Sequence, residues 1–437
     1  MNISNRPCIA SALVSSVRRG ALVLGALLLL TAANGLAQIS PFPGNDWDSL
    51  NDAGEKAYER RQYTASENFL RAALQQAETF GPNDLRLATT LNDLGLLYRA
   101  LGKLQEAESF YRRSLSMREK KLGPSDPQVA TSLNNLAGVL AAENRFAAAE
   151  QMYRRALLIR QTKLGKDNPQ VATVLNNLAA MFSTQEKYAP AEIYLKQALA
   201  IREKSLGPDH PQVANALDNL AGVYTSEGKY DQAEPLYKRA ISIDEKIQGP
   251  EQTALTMDLS NLGAMYFRQA KYDAALPLYV RALEIRDKTL GPVHPLTGAS
   301  AQNLAGLYKA QSKYDQAEPL YQRSLSIFQQ SFGPASPEAG SVLDDLSSMY
   351  SAEGKYPEAA KIYAQLIAAE EKTFGPQSPV LANSLDAYAA ALRKLGRDAE
   401  AAPLEDRAKS IRATQRKPPA TNHKAPGKSA PPSATQP

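Results

Sequence analysis

Asn135, Asn177, Asn219, Asn261 and Asn303 recur at a period of 42 residues. Each carboxamide carries two N–H donors and an oxygen with two lone pairs, so a row of them can pair with both the N–H and the C=O of a guest polypeptide backbone. Asn215, one helical turn before Asn219, extends the row. The residues three positions on are Gly138, Ala180, Gly222, Ala264 and Gly306, small enough to let a guest backbone come close. Asp93, Asp345 and Ala387 end the row, and Met257, Phe267 and Arg268 interrupt it in the middle. As solvated amides these asparagines should be replaceable by alanine with little change in stability. A second reading makes the same amides a brace between adjacent helices, and it predicts the opposite.

Other chemistry is hard to assemble. His210 and His294 stand beside prolines and His423 lies near the end of the chain, so no pair has metal-ligand spacing and no nucleophile has a histidine base. Cys8, the one cysteine, falls in the leader described below, which removes disulfides, thiolate catalysis and thiolate metal sites from the mature chain. Glu108, Glu150, Glu192, Glu234 and Glu318 recur near helix starts, where the dipole favours an anion. Lys103, Arg145, Lys187, Lys229, Lys271, Lys313 and Lys355 mark a basic edge without stacking aromatics, which does not suit nucleic acid. The expectation is a protein with no enzymatic activity, no cofactor and no metal.

The elements that would carry the asparagines are read from the repeat. Glycine returns at Gly81, Gly123, Gly165, Gly207, Gly249, Gly291, Gly333 and Gly375. In the unit that begins at Gly207, Leu217, Leu220, Ala221 and Tyr224 fall on one helical face, and Ala233, Tyr237, Ala240 and Ile241 mark the buried face of a second helix. Gly207 suits a helix C-cap, and Pro211 opens the next helix as its first residue. Asp231 and Glu234 have the spacing of a capping box on the second helix. At 100° per residue, Asn215, Asn219, Gly222 and Ser226 lie opposite the apolar stripe.

Along the chain, residues 1–37 have the form of a secretory leader, with Arg18 and Arg19, an apolar run of about 16 residues, and a small-residue cleavage site at Gly35-Leu36-Ala37. The run is shorter than the roughly 20 residues a membrane span needs, so the mature chain is expected to have no transmembrane span. Residues 47–80 carry an irregular helix pair, and residues 81–414 hold eight units, giving nine hairpins in all. Asp398, Glu405 and Lys409 make the last helix polar, as an end cap of stacked repeats should be. Residues 415–437 are rich in Pro, Ser and Lys and lack the apolar residues for a core. The formal charge of +5 is divided, because the leader and the end of the chain are basic while the repeats between them are mildly acidic.

The segments LNNLAGVL at 133, LNNLAAMF at 175, LDNLAGVY at 217 and AEPLYKRAISI at 233 resemble tetratricopeptide repeats of the 42-residue, kinesin-light-chain-like type found in many bacterial proteins. The resemblance implies an all-α, right-handed superhelical solenoid of antiparallel hairpins whose first helices line a concave groove. It also implies that Asn135, Asn177, Asn219, Asn261 and Asn303 occupy positions where related repeats contact a ligand. The expected function is an interaction scaffold that binds a peptide or protein, exported to the periplasm or secreted. The alternative is a carrier of an envelope polysaccharide or other polymer. Amino-terminal sequencing of protein recovered outside the cytoplasm should begin at Gln38; recovery of residues 1–37 on that protein would refute cleavage.

Overall fold

The computed structural model describes residues 46–246 and 252–415; the leader at 1–37, Gly249 and the tail after 415 lie outside the described residues. Among these the chain is all-α, with eighteen helices paired as consecutive hairpins. They are α1 (Trp47–Glu59), α2 (Tyr63–Thr79), α3 (Leu85–Ala100), α4 (Leu104–Leu122), α5 (Pro127–Ala142), α6 (Phe146–Leu164), α7 (Pro169–Thr184), α8 (Tyr188–Leu206) and α9 (Pro211–Ser226). There follow α10 (Tyr230–Asp244), α11 (Gln252–Arg268), α12 (Tyr272–Leu290), α13 (Pro295–Ala310), α14 (Tyr314–Phe332), α15 (Pro337–Glu353), α16 (Tyr356–Phe374), α17 (Pro379–Lys394) and α18 (Asp398–Gln415). They fall into two compact units, one ending at Leu307 and the other beginning at Tyr308.

Local chemistry starts and stops each hairpin. The N–H groups of Gln128 and Gln170 donate to Asp126 and Asn168 at 2.8 Å, next to a proline that has no N–H to satisfy. His210 caps α9 in the same way, its Nδ1 accepting from the Gln212 N–H at 3.1 Å, and His294 accepts from Leu296. Two of the three histidines are thus used as cap groups. Second helices end on Gly123, Gly165, Gly207, Gly291, Gly333 and Gly375 with φ between +84° and +93°, a region that side-chain-bearing residues rarely adopt. The capping box expected at Asp231 and Glu234 does not form. Helix α10 begins at Tyr230 with Lys229 as its unbonded N-cap, which puts Asp231 one residue inside the helix, and Glu234 accepts from Lys238 and Tyr266 instead.

Packing follows the apolar period. Leu217, Leu220, Ala221 and Tyr224 are 0–4% exposed, and one core runs from Leu70 to Ala282 through successive hairpins. Within a hairpin a second-helix tyrosine lies over a small first-helix residue. The Tyr111 ring stands 2.7 Å from where a Cβ on Gly95 would sit, so that position accepts only glycine without a shift. The second unit has its own core of Leu381, Leu385, Ala408 and Ile411, and Arg393 ties Glu405 and Asp398 at its end. No helix among the described residues is long and apolar enough to cross a membrane.

Leu220→Ala should destabilise the protein by about 2–4 kcal/mol, from lost transfer energy and the cavity left behind. Denaturant unfolding checks this; a change under about 0.5 kcal/mol would put the stripe on the surface.

Candidate functional site

Opposite the buried stripe, first helices α5, α7 and α9 present rows of uncharged residues, with the Arg99 guanidinium of α3 reaching over Gly138 at one end. The rows read Gln128, Thr131 and Asn135, then Gln170, Thr173 and Asn177, then Gln212, Asn215 and Asn219, all exposed or half-buried. Gly138, Ala180 and Gly222 continue the rows. The helical period alone puts these residues on the side away from the core, and Asn215 and Asn219 are exposed as that period requires.

The structure joins the asparagines to one another. Asn135 Nδ2 donates to Asn92 Oδ1 at 3.0 Å, Asn177 to Asn134 at 2.9 Å and Asn219 to Asn176 at 2.9 Å. Asn261 Nδ2 reaches both carboxylate oxygens of Asp218, at 2.9 and 3.1 Å. Within pairs, Asn134 donates to Asn135 at 3.3 Å and Asn92 to Asp93 at 3.2 Å. The four bonds made by Asn135, Asn177, Asn219 and Asn261 run from each first helix to the preceding one, and the run Asn177, Asn134, Asn135, Asn92 ends on Asp93. There Asn51 donates to both Asp93 and Glu55. Burial, with the Asp93 charge beside it, raises the Glu55 pKa, and burial raises that of Asp93. Asn303 is half-buried at the equivalent place on α13.

Asn135, Asn177 and Asn219 each commit one N–H to the preceding hairpin and keep a second, whereas Asn261 turns its amide group to both oxygens of Asp218. They are not simply solvated, so alanine in their place should lower stability rather than leave it unaltered. Replacing Asn177, Asn219 or Asn261 strips an acceptor on the preceding first helix of its donor. Asn215 is different: it stands exposed one turn earlier on α9.

Three further networks hold the face in place, and helical periodicity alone did not reveal them. Arg118, Arg160, Arg202 and Arg286 of second helices are 5–9% exposed and donate to the carbonyls of Gln128, Gln170, Gln212 and Leu296 at the start of the next first helix. Burial pulls their pKa values down. Glu67, Glu192, Glu234 and Glu318 accept from Tyr98, Tyr224, Tyr266 and Tyr350 of the following first helix at 2.7–3.0 Å. The recurrent glutamates near helix starts are thus inter-hairpin acceptors as well as dipole partners. Arg155 and Arg239 pair at 2.6 Å with Glu119 and Glu203 of the preceding second helix, and Arg281 at 2.6 Å with Glu245, the C-cap of α10. The basic edge is also partly neutralised, Arg145 by Glu108 and Glu143, and Lys229 by Glu192 and Glu227. The signal for all three networks was present in the 42-residue recurrence of Arg, Glu and Tyr, but the partners lie in neighbouring units.

Among the described residues no group of three or more His, Cys, Asp or Glu is placed to hold a metal ion. What the face offers is hydrogen bonding by neutral amides and hydroxyls beside small residues. Asn261→Ala leaves a carboxylate without two donor contacts and should lower stability by about 1–3 kcal/mol. Asn215→Ala should change it by less than about 0.5 kcal/mol, as surface substitutions do. Unfolding curves of the two variants check the contrast; equal effects would dissolve it.

A family model described as tetratricopeptide repeat matches residues 49–120, 128–204, 191–246, 253–330, 299–372 and 338–413. Comparison with curated proteins found no match. Among solved structures, the chain is similar to the apo form of the quorum sensor NprR from B. thuringiensis, with TM-score 0.54 and 15% identity over 84% of this chain and 98% of that one. It is similar to aspartyl phosphate phosphatase F from Bacillus subtilis, with TM-score 0.50 and 13% identity over 89% and 96%. A putative kinesin light chain from Podosopora anserina matches with TM-score 0.42 and 23% identity over 47% and 98%. At these identities the likeness is one of fold.

Proposed function

This chain belongs to the tetratricopeptide-repeat family, and from that premise we propose that it is a non-enzymatic scaffold that holds an extended peptide or protein segment against α5, α7 and α9. The observation that carries the reading is the uncharged row from Gln128 to Ser226, in which amides and hydroxyls alternate with Gly138, Ala180 and Gly222. Such a surface reads a backbone. It offers donors and acceptors along a guest and lets the guest approach closely at Ala180 and Gly222, while at Gly138 the Arg99 guanidinium lies over the helix. In this reading Asn135, Asn177 and Asn219 brace the helices with one N–H and present the other to the guest, Asn215 serves the guest alone, and Asn261 and Asn303 continue the row.

The partner is proposed to be a protein or peptide of the cell envelope or the outside of a bacterial cell. The support is the leader-like composition of residues 1–37. Dispersed histidines that serve as caps support the absence of catalysis. A hydroxyl-rich polymer could use the same amides, which keeps the carrier of an envelope polysaccharide as the second reading.

The test is a peptide array and a glycan array probed with protein from Gln38 onward. Binding of peptides with little dependence on side-chain charge supports the scaffold; binding of glycans alone selects the carrier. On the peptides retained, the double variant Asn215→Ala, Asn219→Ala should weaken affinity about tenfold, since each neutral hydrogen bond is worth about 0.5–1.5 kcal/mol. Asn215→Ala alone should weaken it several-fold with an unchanged melting temperature. Unaltered affinity in both would move the guest off this face.

A further inference from the structure

One joint in the first unit reverses the chemistry of the others. Where α4 meets α5 and where α12 meets α13, a buried arginine donates to a serine: Arg118 to Ser132 at 2.9 Å and Arg286 to Ser300 at 2.8 Å. At the same two positions between α10 and α11 stand Asp244 and Asp258, 3% and 5% exposed. Asp218 of α9 adds a third carboxyl, the one that accepts from Asn261. Asp258 Oδ2 is buried and has no hydrogen-bond partner. From α12, Arg286 faces this region but gives its N–H groups to Thr256, Ser300 and the Leu296 carbonyl.

Carboxylates in a shared low-dielectric site cannot all ionise cheaply, whereas one proton between two of them turns repulsion into a hydrogen bond. We propose that Asp258 is protonated and donates to Asp218, so that a proton is a structural component of the contact among α9, α10 and α11, and the hairpins uncouple there as the proton is lost.

Burial pushes the Asp258 pKa up to about 9, with the charges of Asp218 and Asp244 adding to it, and burial raises Asp218 as well. The sign follows from linkage. A group whose folded-state pKa lies above its unfolded value, near 4 for aspartate, stabilises fully below that value, and the contribution is lost as pH rises through the folded pKa. The joint is therefore tightest in acid and weakens toward about pH 9.

Asp258→Asn mimics the protonated acid, and Asp258→Ser restores the residue found in sister hairpins. The melting temperature of wild type should fall by several degrees relative to Asp258→Asn between about pH 6 and about pH 9.5. Parallel pH profiles would overturn the proposal. Carbon-13 NMR of aspartate-labelled wild-type protein, which needs no variant to fold, should show a carboxyl that titrates above neutrality. Its disappearance in Asp258→Asn or Asp258→Ser assigns it; titration of all aspartates below about pH 5 would refute the shared proton.

Discussion

A hairpin of two helices cannot bury both of its apolar faces, and every other feature of this chain answers that constraint. Tyr224 and Leu220 are buried only because other helices cover them, so each hairpin depends on its neighbours. Apolar contact is not directional, however, and by itself leaves one hairpin free to rotate or slide on the next. Directional groups remove that freedom. The asparagine bonds span 43 residues in a 42-residue repeat, so each one reaches one position back along the preceding first helix. The Glu to Tyr bonds of 31 or 32 residues and the Arg to Glu pairs across adjacent second helices repeat their own offsets with the same regularity. A constant offset, made many times, is what turns a stack of similar hairpins into one defined arrangement within the unit.

The same groups shape the proposed binding face. An amide fixed by one N–H is oriented before a guest arrives, and orientation in advance lowers the entropy lost on binding. The polarity of the ladder adds a second property. The bonds of Asn135, Asn177, Asn219 and Asn261 all run from one first helix back to the one before it, and two of the runs finish on carboxyls, at Asp93 and at Asp218. A guest backbone, which is itself directional, meets a surface that distinguishes its two orientations.

Much of this was legible in the residues, and the remainder was not for a definite reason. The glycine period and the stripe Leu217, Leu220, Ala221, Tyr224 specify two helices per unit and which side is buried, because helical geometry is local. The same wheel places Asn215 and Asn219 on the exposed side, where they are found. A wheel gives the direction of a side chain and not the atom it meets. The partner of Asn177 is Asn134, one unit back, and the partners of Arg160 lie in the next helix and the preceding one. The capping box at Asp231 failed because α10 starts two residues earlier than the box needs, a shift that pattern cannot resolve. The recurrence of LNNL did carry the missing information, since two adjacent amides repeated together are what a donor and an acceptor on successive helices require.

The central claim is that the asparagine ladder couples neighbouring hairpins, and a double-mutant cycle on Asn177 and Asn134 measures that coupling directly. Unfolding free energies of Asn177→Ala, Asn134→Ala and the double variant should reveal an interaction of about 0.5–1.5 kcal/mol between the two sites. Additive effects within about 0.3 kcal/mol would contradict it, and would leave the coupling of these helices to apolar packing and the Arg160 bonds.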